Sequence, residues 1–154
     1  MIGKAGSNFL LDTVIVVAYF NDERAILDRL AGITFYVSSI TIGELYFGAY
    51  RSRYVTDNVR RIREFLPFST ILPCDEITGD YYGQIKQQLA AKGRPVPEND
   101  IWIAAAAMQH GLTLVTRDRH FREIDGLAFD LVTASARLDQ TIRRQLPPLG
   151  VWDA

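Results

Sequence analysis

Asp12, Glu44, Asp100 and Asp118 lie far apart in the chain. Carboxylates within a few ångströms of one another repel unless protons or cations come between them. Hard cations such as Mg²⁺ or Mn²⁺ take oxygen ligands, few of them from protein, with water and phosphate completing the shell. A cation so held lowers the pKa of a bound water and stabilises charge on a phosphodiester; a second one, about 3.5–4 Å away, also stabilises the leaving oxygen. Converged, these four acids would suit metal-assisted hydrolysis of a phosphodiester. The chain has one cysteine, Cys74, two histidines, and no CxxC or Cys/His spacing, which argues against zinc and against an internal disulfide.

The elements must bring the acids together. Phe9-Leu10-Leu11 reads as a buried strand ending at Asp12, and 13–20 reads as a helix. A helix is expected from about Asp22 to Leu30, closed by Ala31-Gly32, then a strand over 34–38. Thr41-Ile42-Gly43-Glu44 has the form of a capping box, so a helix is expected to start there with Glu44 in its first turn. A helix over 55–66 ends at Pro67, a third strand covers 70–72, and a helix runs from Asp75 to Ala91 with Gly93 beyond it. Residues 101–109 form an alanine-rich, apolar and so buried helix; 112–115 and 129–132 are strands four and five, and 137–146 a last amphipathic helix.

Strands alternating with helices imply a single α/β domain over 1–154, with a central parallel sheet covered on both faces. Ligands of such sheets bind outside the carboxyl ends of the strands, near a switch in strand order. Asp12 and Asp118 follow strands and belong at that edge, and Glu44 starts a helix that leaves it. Asp100 opens a helix leading into strand four, and the pattern permits it at the same edge without requiring it.

With 154 residues, 48% hydrophobic and 23% charged, the chain is an ordinary globular domain with no low-complexity tract or repeat. The apolar run 9–20 is interrupted by Asp12 and too short for a membrane span. A reducing, cytoplasmic setting fits the lone cysteine. The net charge of −1 does not advertise a nucleic-acid binder, but Arg51, Arg53, Arg60, Arg61 and Arg63 cluster, and Arg94, Arg117, Arg119 and Arg122 flank two of the acids.

Each acid also has an ordinary reading: Asp12 as an N-cap, Glu44 completing the box with Thr41, Asp100 or Asn99 capping the alanine-rich helix, Asp118 in a turn. The functional case rests on convergence. An aspartyl phosphotransferase with Asp12 as nucleophile would want a second Asp two residues on, where Val14 stands, and no glycine-rich phosphate loop is present for an NTPase.

The segments LLDT at 10–13, SSITIGEL at 38–45, PVPENDIWIAAAA at 95–107 and TLVTRDRHF at 113–121 resemble, in order and spacing, the four signature blocks of PIN-domain nucleases. They are most similar to those of VapC-like toxins of prokaryotic toxin–antitoxin pairs. The resemblance implies a PIN-like fold with a five-stranded parallel sheet. It implies metal-binding, catalytic acids at Asp12, Glu44, Asp100 and Asp118, dependence on Mg²⁺ or Mn²⁺, and endonucleolytic cleavage of RNA. It further implies a small antitoxin whose tail occupies the site, and a homodimeric toxin. Thr13 and Thr116 match hydroxyl positions expected to orient carboxylates or water. The family commonly reads Asp-Thr-Asn in the first block; Val14 replaces that Asn and removes a hydrogen bond near Asp12. A non-toxin PIN nuclease in RNA processing and a non-catalytic PIN-fold binding domain are the alternatives.

Arg117, Arg119 and His120 beside Asp118 read either as contacts to RNA phosphates or as solvated loop residues. His120 as a general acid is a further option. His110, before a helix-ending Gly, reads as a partner of the helix dipole. Tyr46, Tyr50 and Tyr54 recur at four-residue spacing beside Phe47: a stripe partly in the core, its outer members fit for a partner surface. Arg60, Arg61 and Arg63 read as a solvated helix face, and Asp75, Asp80, Asp125 and Asp130 as surface acids.

Overall fold

The computed structural model describes residues 8–133. The helix expected over 137–146 lies outside them.

The five strands are β1 (Phe9–Leu11), β2 (Phe35–Ser38), β3 (Ser69–Leu72), β4 (Thr113–Thr116) and β5 (Phe129–Leu131). They form one parallel sheet in the order β3-β2-β1-β4-β5. The order grows outward on one side from β1 through β2 to β3, and on the other through β4 to β5. The switch point therefore falls between β1 and β4, where Leu10 pairs with Leu114 and Leu11 with Val115.

Side chains alternate across the sheet with period two. Leu11, Val37 and Val115 enter one core with α1 (Thr13–Phe20), α2 (Arg24–Leu30), α3 (Ser39–Tyr50) and α4 (Val55–Phe65). Leu10, Leu72 and Leu114 enter the other, with α5 (Glu76–Lys92) and α6 (Glu98–Gln109). Burial on both faces explains why the strands read as unbroken apolar runs. The helices α5 and α6 form an antiparallel hairpin: Thr78 reaches Gln109, Tyr82 stacks on Trp102 with ring centroids 4.0 Å apart, and Lys86 pairs with Glu98.

Several boundaries move by local chemistry. Ser38, rather than Thr41, caps α3: its Oγ accepts from the Thr41 N–H at 3.1 Å. Thr41-x-x-Glu44 is therefore not a capping box, and Glu44 lies in the second turn of α3. Helix α6 starts at Glu98, three residues before the expected Ile101, with Pro97 at its N-cap, so Asp100 sits inside its first turn and caps nothing. Asp75 caps α5 in a full capping box with Thr78, and Gly93 closes it at φ 65°. Helix α3 ends at Tyr50, which breaks the tyrosine stripe: Tyr46 packs against the core and stacks on Tyr50, while Tyr54 stands at the N-terminal boundary of the next helix with no capping bond from its side chain. Of the arginines on α4, Arg60 and Arg63 are exposed and Arg61 is half-buried.

Ala104, Ala105 and Ala107 are completely buried in α6. Small side chains there let α6 lie close to its neighbours, so added bulk must displace them. Ala105→Leu should cost about 2 kcal/mol, read as a lower urea midpoint with an unchanged slope.

Candidate active site

Asp12 stands at the switch point. Its N–H donates to the Val115 carbonyl at 3.0 Å, extending the β1–β4 ladder by one step. Its side chain then turns over the start of α1, where Oδ1 accepts from the Thr13 N–H at 2.8 Å. Oδ2 accepts from the Thr116 hydroxyl, also at 2.8 Å. Asp12 is thus the N-cap that sequence allowed, and also a carboxylate only 3% exposed.

Thr116 ends β4 and is completely buried. Its Oγ1 accepts from the Asp118 N–H at 3.0 Å while donating to Asp12, so one hydroxyl ties the ends of both central strands together. Asp118 Oδ1 accepts from the His120 N–H at 2.8 Å and lies 2.9 Å from His120 Nδ1. Glu44 reaches in from α3, and its Oε1 accepts from the Thr13 hydroxyl at 2.8 Å.

Asp100 comes from α6 and is half-buried. Burial pushes its carboxyl up to about 7, reinforced by the charges of Asp12, Asp118 and Glu44 and opposed by His120. Burial likewise raises Asp12 to about 6; its two hydrogen bonds hold it down, and Glu44 and Asp118 push it up. The four acids thus lie close enough to act on one another electrically. No lysine or arginine of the described residues pairs with any of them.

The donors fit a hard divalent cation: carboxylate oxygens, desolvated and uncompensated, with no thiol among them. Among the described residues no three such side chains are already gathered as a ready metal cage. Mg²⁺ needs fewer, since it keeps most of its water and takes one or two carboxylates.

Arg117 points away from the cluster. Its guanidinium pairs with Glu23, and both side chains are about four-fifths buried. Glu23 precedes α2 and follows Asp22, which adopts φ 53°. Arg119 and His120 remain exposed beside Asp118. Val14 is 43% exposed and stands outside the buried network. His110 caps the end of α6, Asp125 pairs with Lys92, and Asp130 with Arg29.

Sequence reasoning missed Glu23 and the roles of Ser38 and Thr41. Glu23 carried no local signal, because its partner lies 94 residues away. The Thr41 hydroxyl was hidden by a capping motif that fits the letters one turn too late.

A groove of about 570 Å³ opens from Glu44 along α1 and α3, lined by Thr13, Val17, Ile40, Phe47 and Arg51. Arg51 lies over the Phe47 ring, 5.5 Å from its centroid.

The sequence pattern of the PIN domain matches residues 9–127. This chain therefore belongs to the PIN-domain family. Among its relatives is Ribonuclease VapC2 of Haemophilus influenzae, 41% identical over 125 residues that cover 77% of this chain and 93% of that one. The tRNA(fMet)-specific endonuclease VapC of Shigella flexneri is 32% identical, with the same coverage. Among solved structures, VapBC from Salmonella typhimurium, in a DNA-bound crystal, superposes with a TM-score of 0.76 at 33% identity, over 80% of this chain and 97% of that one. VapBC2 from Rickettsia felis, bound to a promoter fragment, gives 0.73 at 30% identity with the same coverage.

The raised carboxyls make a signed prediction. Asp100 and Asp12 bind protons more tightly folded than unfolded, so between about pH 4 and 7 the folded state holds the extra protons, and their contribution to stability falls as pH rises. Asp100→Asn removes one charge of the cluster. Allowing for solvent screening, it should stabilise the metal-free protein at pH 7.5 by about 1 kcal/mol, a Tm gain of about 3 °C. That gain should shrink as pH falls toward 4. Thermal melts across this range check it; a gain that grows on acidification contradicts mutual repulsion.

Proposed function

We propose that this chain is a divalent-metal-dependent endoribonuclease and the toxin of a type II toxin–antitoxin pair. One observation carries the reading: carboxylates from four separate segments share a desolvated edge of the sheet, with no lysine or arginine of the described residues paired to them. Kinship with proteins named VapC ribonucleases and with VapBC assemblies supports the substrate class and the partner.

Asp12, Glu44, Asp100 and Asp118 would hold Mg²⁺ or Mn²⁺. When bound, such an ion supplies an activated water and offsets charge on the phosphodiester. Thr116 and the Thr13 N–H fix both oxygens of Asp12. Thr13 fixes one oxygen of Glu44, and no hydrogen bond from the described residues engages the other. Arg119 and His120, exposed beside Asp118, would meet RNA phosphates. Arg117 is committed to Glu23 and holds the loop instead.

The groove beyond Glu44 suits the antitoxin tail: apolar walls at Val17, Ile40 and Phe47, with Glu44 and Arg51 as its charged side chains. A homodimer and a cytoplasmic location complete the proposal. No helix among the described residues is long and apolar enough to cross a membrane.

Purified protein should cut structured RNA with Mg²⁺ or Mn²⁺ and stop on adding EDTA. Asp12→Asn and Asp100→Asn should each lower the single-turnover rate at least a hundredfold with an unchanged circular dichroism spectrum; variants that cut at the wild-type rate overturn the assignment. Phe47→Asp should lose co-purification with the antitoxin and keep RNA cleavage. An RNA-processing nuclease with no antitoxin would instead show no toxicity that the adjacent small gene product relieves.

A further inference from the structure

The acids are held by hydroxyls, and one of those hydroxyls is held by another that makes no hydrogen bond to an acid among the described residues. Thr13 Oγ1 lies 2.8 Å from Glu44 Oε1 and 3.1 Å from Thr41 Oγ1. A hydroxyl carries one hydrogen, and an ionised carboxylate only accepts. The Thr13 hydrogen therefore goes to Glu44, and Thr13 receives the hydrogen of Thr41. Ser38 Oγ, the cap of α3, stands 3.5 Å behind Thr41 Oγ1 as a longer third link. Thr41 is completely buried and Ser38 only 2% exposed, so water does not compete for either hydroxyl.

We infer that Thr41 is a positioning residue of the metal site, whose buried hydroxyl polarises and orients Thr13 so that one oxygen of Glu44 is fixed and the other is presented to the cation. The inference rests on the proposed nuclease reading. Hydrogen bonds aligned in one direction strengthen one another in a low-dielectric setting, and this row ends on the charge. Without the Thr41 donor, Thr13 can rotate its single hydrogen away from Glu44, and the carboxylate gains freedom that metal binding must remove. Partners behind metal-ligating carboxylates of this kind typically change metal affinity or activity by about 10–100-fold.

Thr41→Val keeps the shape and deletes the hydroxyl; Thr41→Ser keeps the hydroxyl and deletes the methyl. Mn²⁺ binding without RNA is measured by calorimetry, and single-turnover cleavage is titrated with Mg²⁺. The valine variant should bind Mn²⁺ about tenfold more weakly and need about tenfold more Mg²⁺ for half-maximal cleavage, with little change in the rate at saturation. The serine variant should stay within about twofold of wild type on the same scale. In a Glu44→Gln background the Thr41→Val effect on Mn²⁺ binding should vanish, because the chain then has no carboxylate to act on. Wild-type affinity in Thr41→Val, equal impairment in Thr41→Ser, or an undiminished effect beside Glu44→Gln overturns the inference. If the valine variant does not fold, the pair Thr41→Ala and Thr41→Ser isolates the same hydroxyl without added bulk, with the same outcomes. Should Asp12→Asn and Asp100→Asn still cut RNA, the nuclease reading itself falls; loss of cutting there with no Thr41 effect removes this inference alone.

Discussion

Negative charge gathered where water is scarce is the constraint that organises this molecule. A single buried carboxylate can keep its proton or find a cation. Four that feel one another ionise together only at a cost, which a cation from outside would relieve. The fold creates this condition through strand order. Because the sheet grows in opposite directions from β1 and β4, the loops leaving those strands diverge and leave a crevice between them. Asp12 and Asp118 line it from the sheet, and Glu44 and Asp100 close on it from α3 and α6.

The supporting chemistry is chosen to leave that charge in place. An arginine beside Asp12 would satisfy its oxygens and cancel the field at once. Hydroxyls and N–H groups satisfy the oxygens and remain neutral. Thr116, Thr13 and the Thr13 N–H do this for Asp12 and Glu44. Arg117 is the instructive contrast. It is adjacent to Asp118 in sequence, yet its charge is spent on Glu23, where it braces the loop against the start of α2. A buried pair of this kind is a weak source of net stability, since desolvation offsets its attraction. What the pairing does show is a guanidinium bound to Glu23 and to none of the four acids.

Much of this was legible in the residues. The strands, their parallel sense and their double-sided burial follow from short apolar runs separated by amphipathic helices. The edge position of Asp12 and Asp118 follows from their place just after β1 and β4. Helix starts were less legible, because several residues compete for a cap: Ser38 and Thr41 both offer a hydroxyl, and only packing decides that Ser38 caps while Thr41 turns inward. Asp100 stayed open for a topological reason. Two helices, not one, connect β3 to β4, so strand alternation fixes no direction for the second. The α5–α6 hairpin supplies it through Thr78–Gln109, Tyr82–Trp102 and Lys86–Glu98, none visible as a local pattern. The family blocks carried what spacing did not.

The four acids are unequally held, and the inequality bears on how a cation would enter. Asp12 has both oxygens engaged, Glu44 and Asp118 each have one, and Asp100 receives no hydrogen bond from the described residues. With no such hydrogen bond to hold it down, burial and the charges of Asp12, Asp118 and Glu44 push its carboxyl to about 7, opposed by His120. A site with three braced acids and one unbraced is preorganised on one side and adjustable on the other. That matches an ion that keeps much of its own water and tolerates few rigid ligands. It also accounts for the lack of a finished cage among these side chains. A cation bound between Asp100 and its neighbours would offset their repulsion, and Asp100, unbraced, could then turn toward it as a ligand.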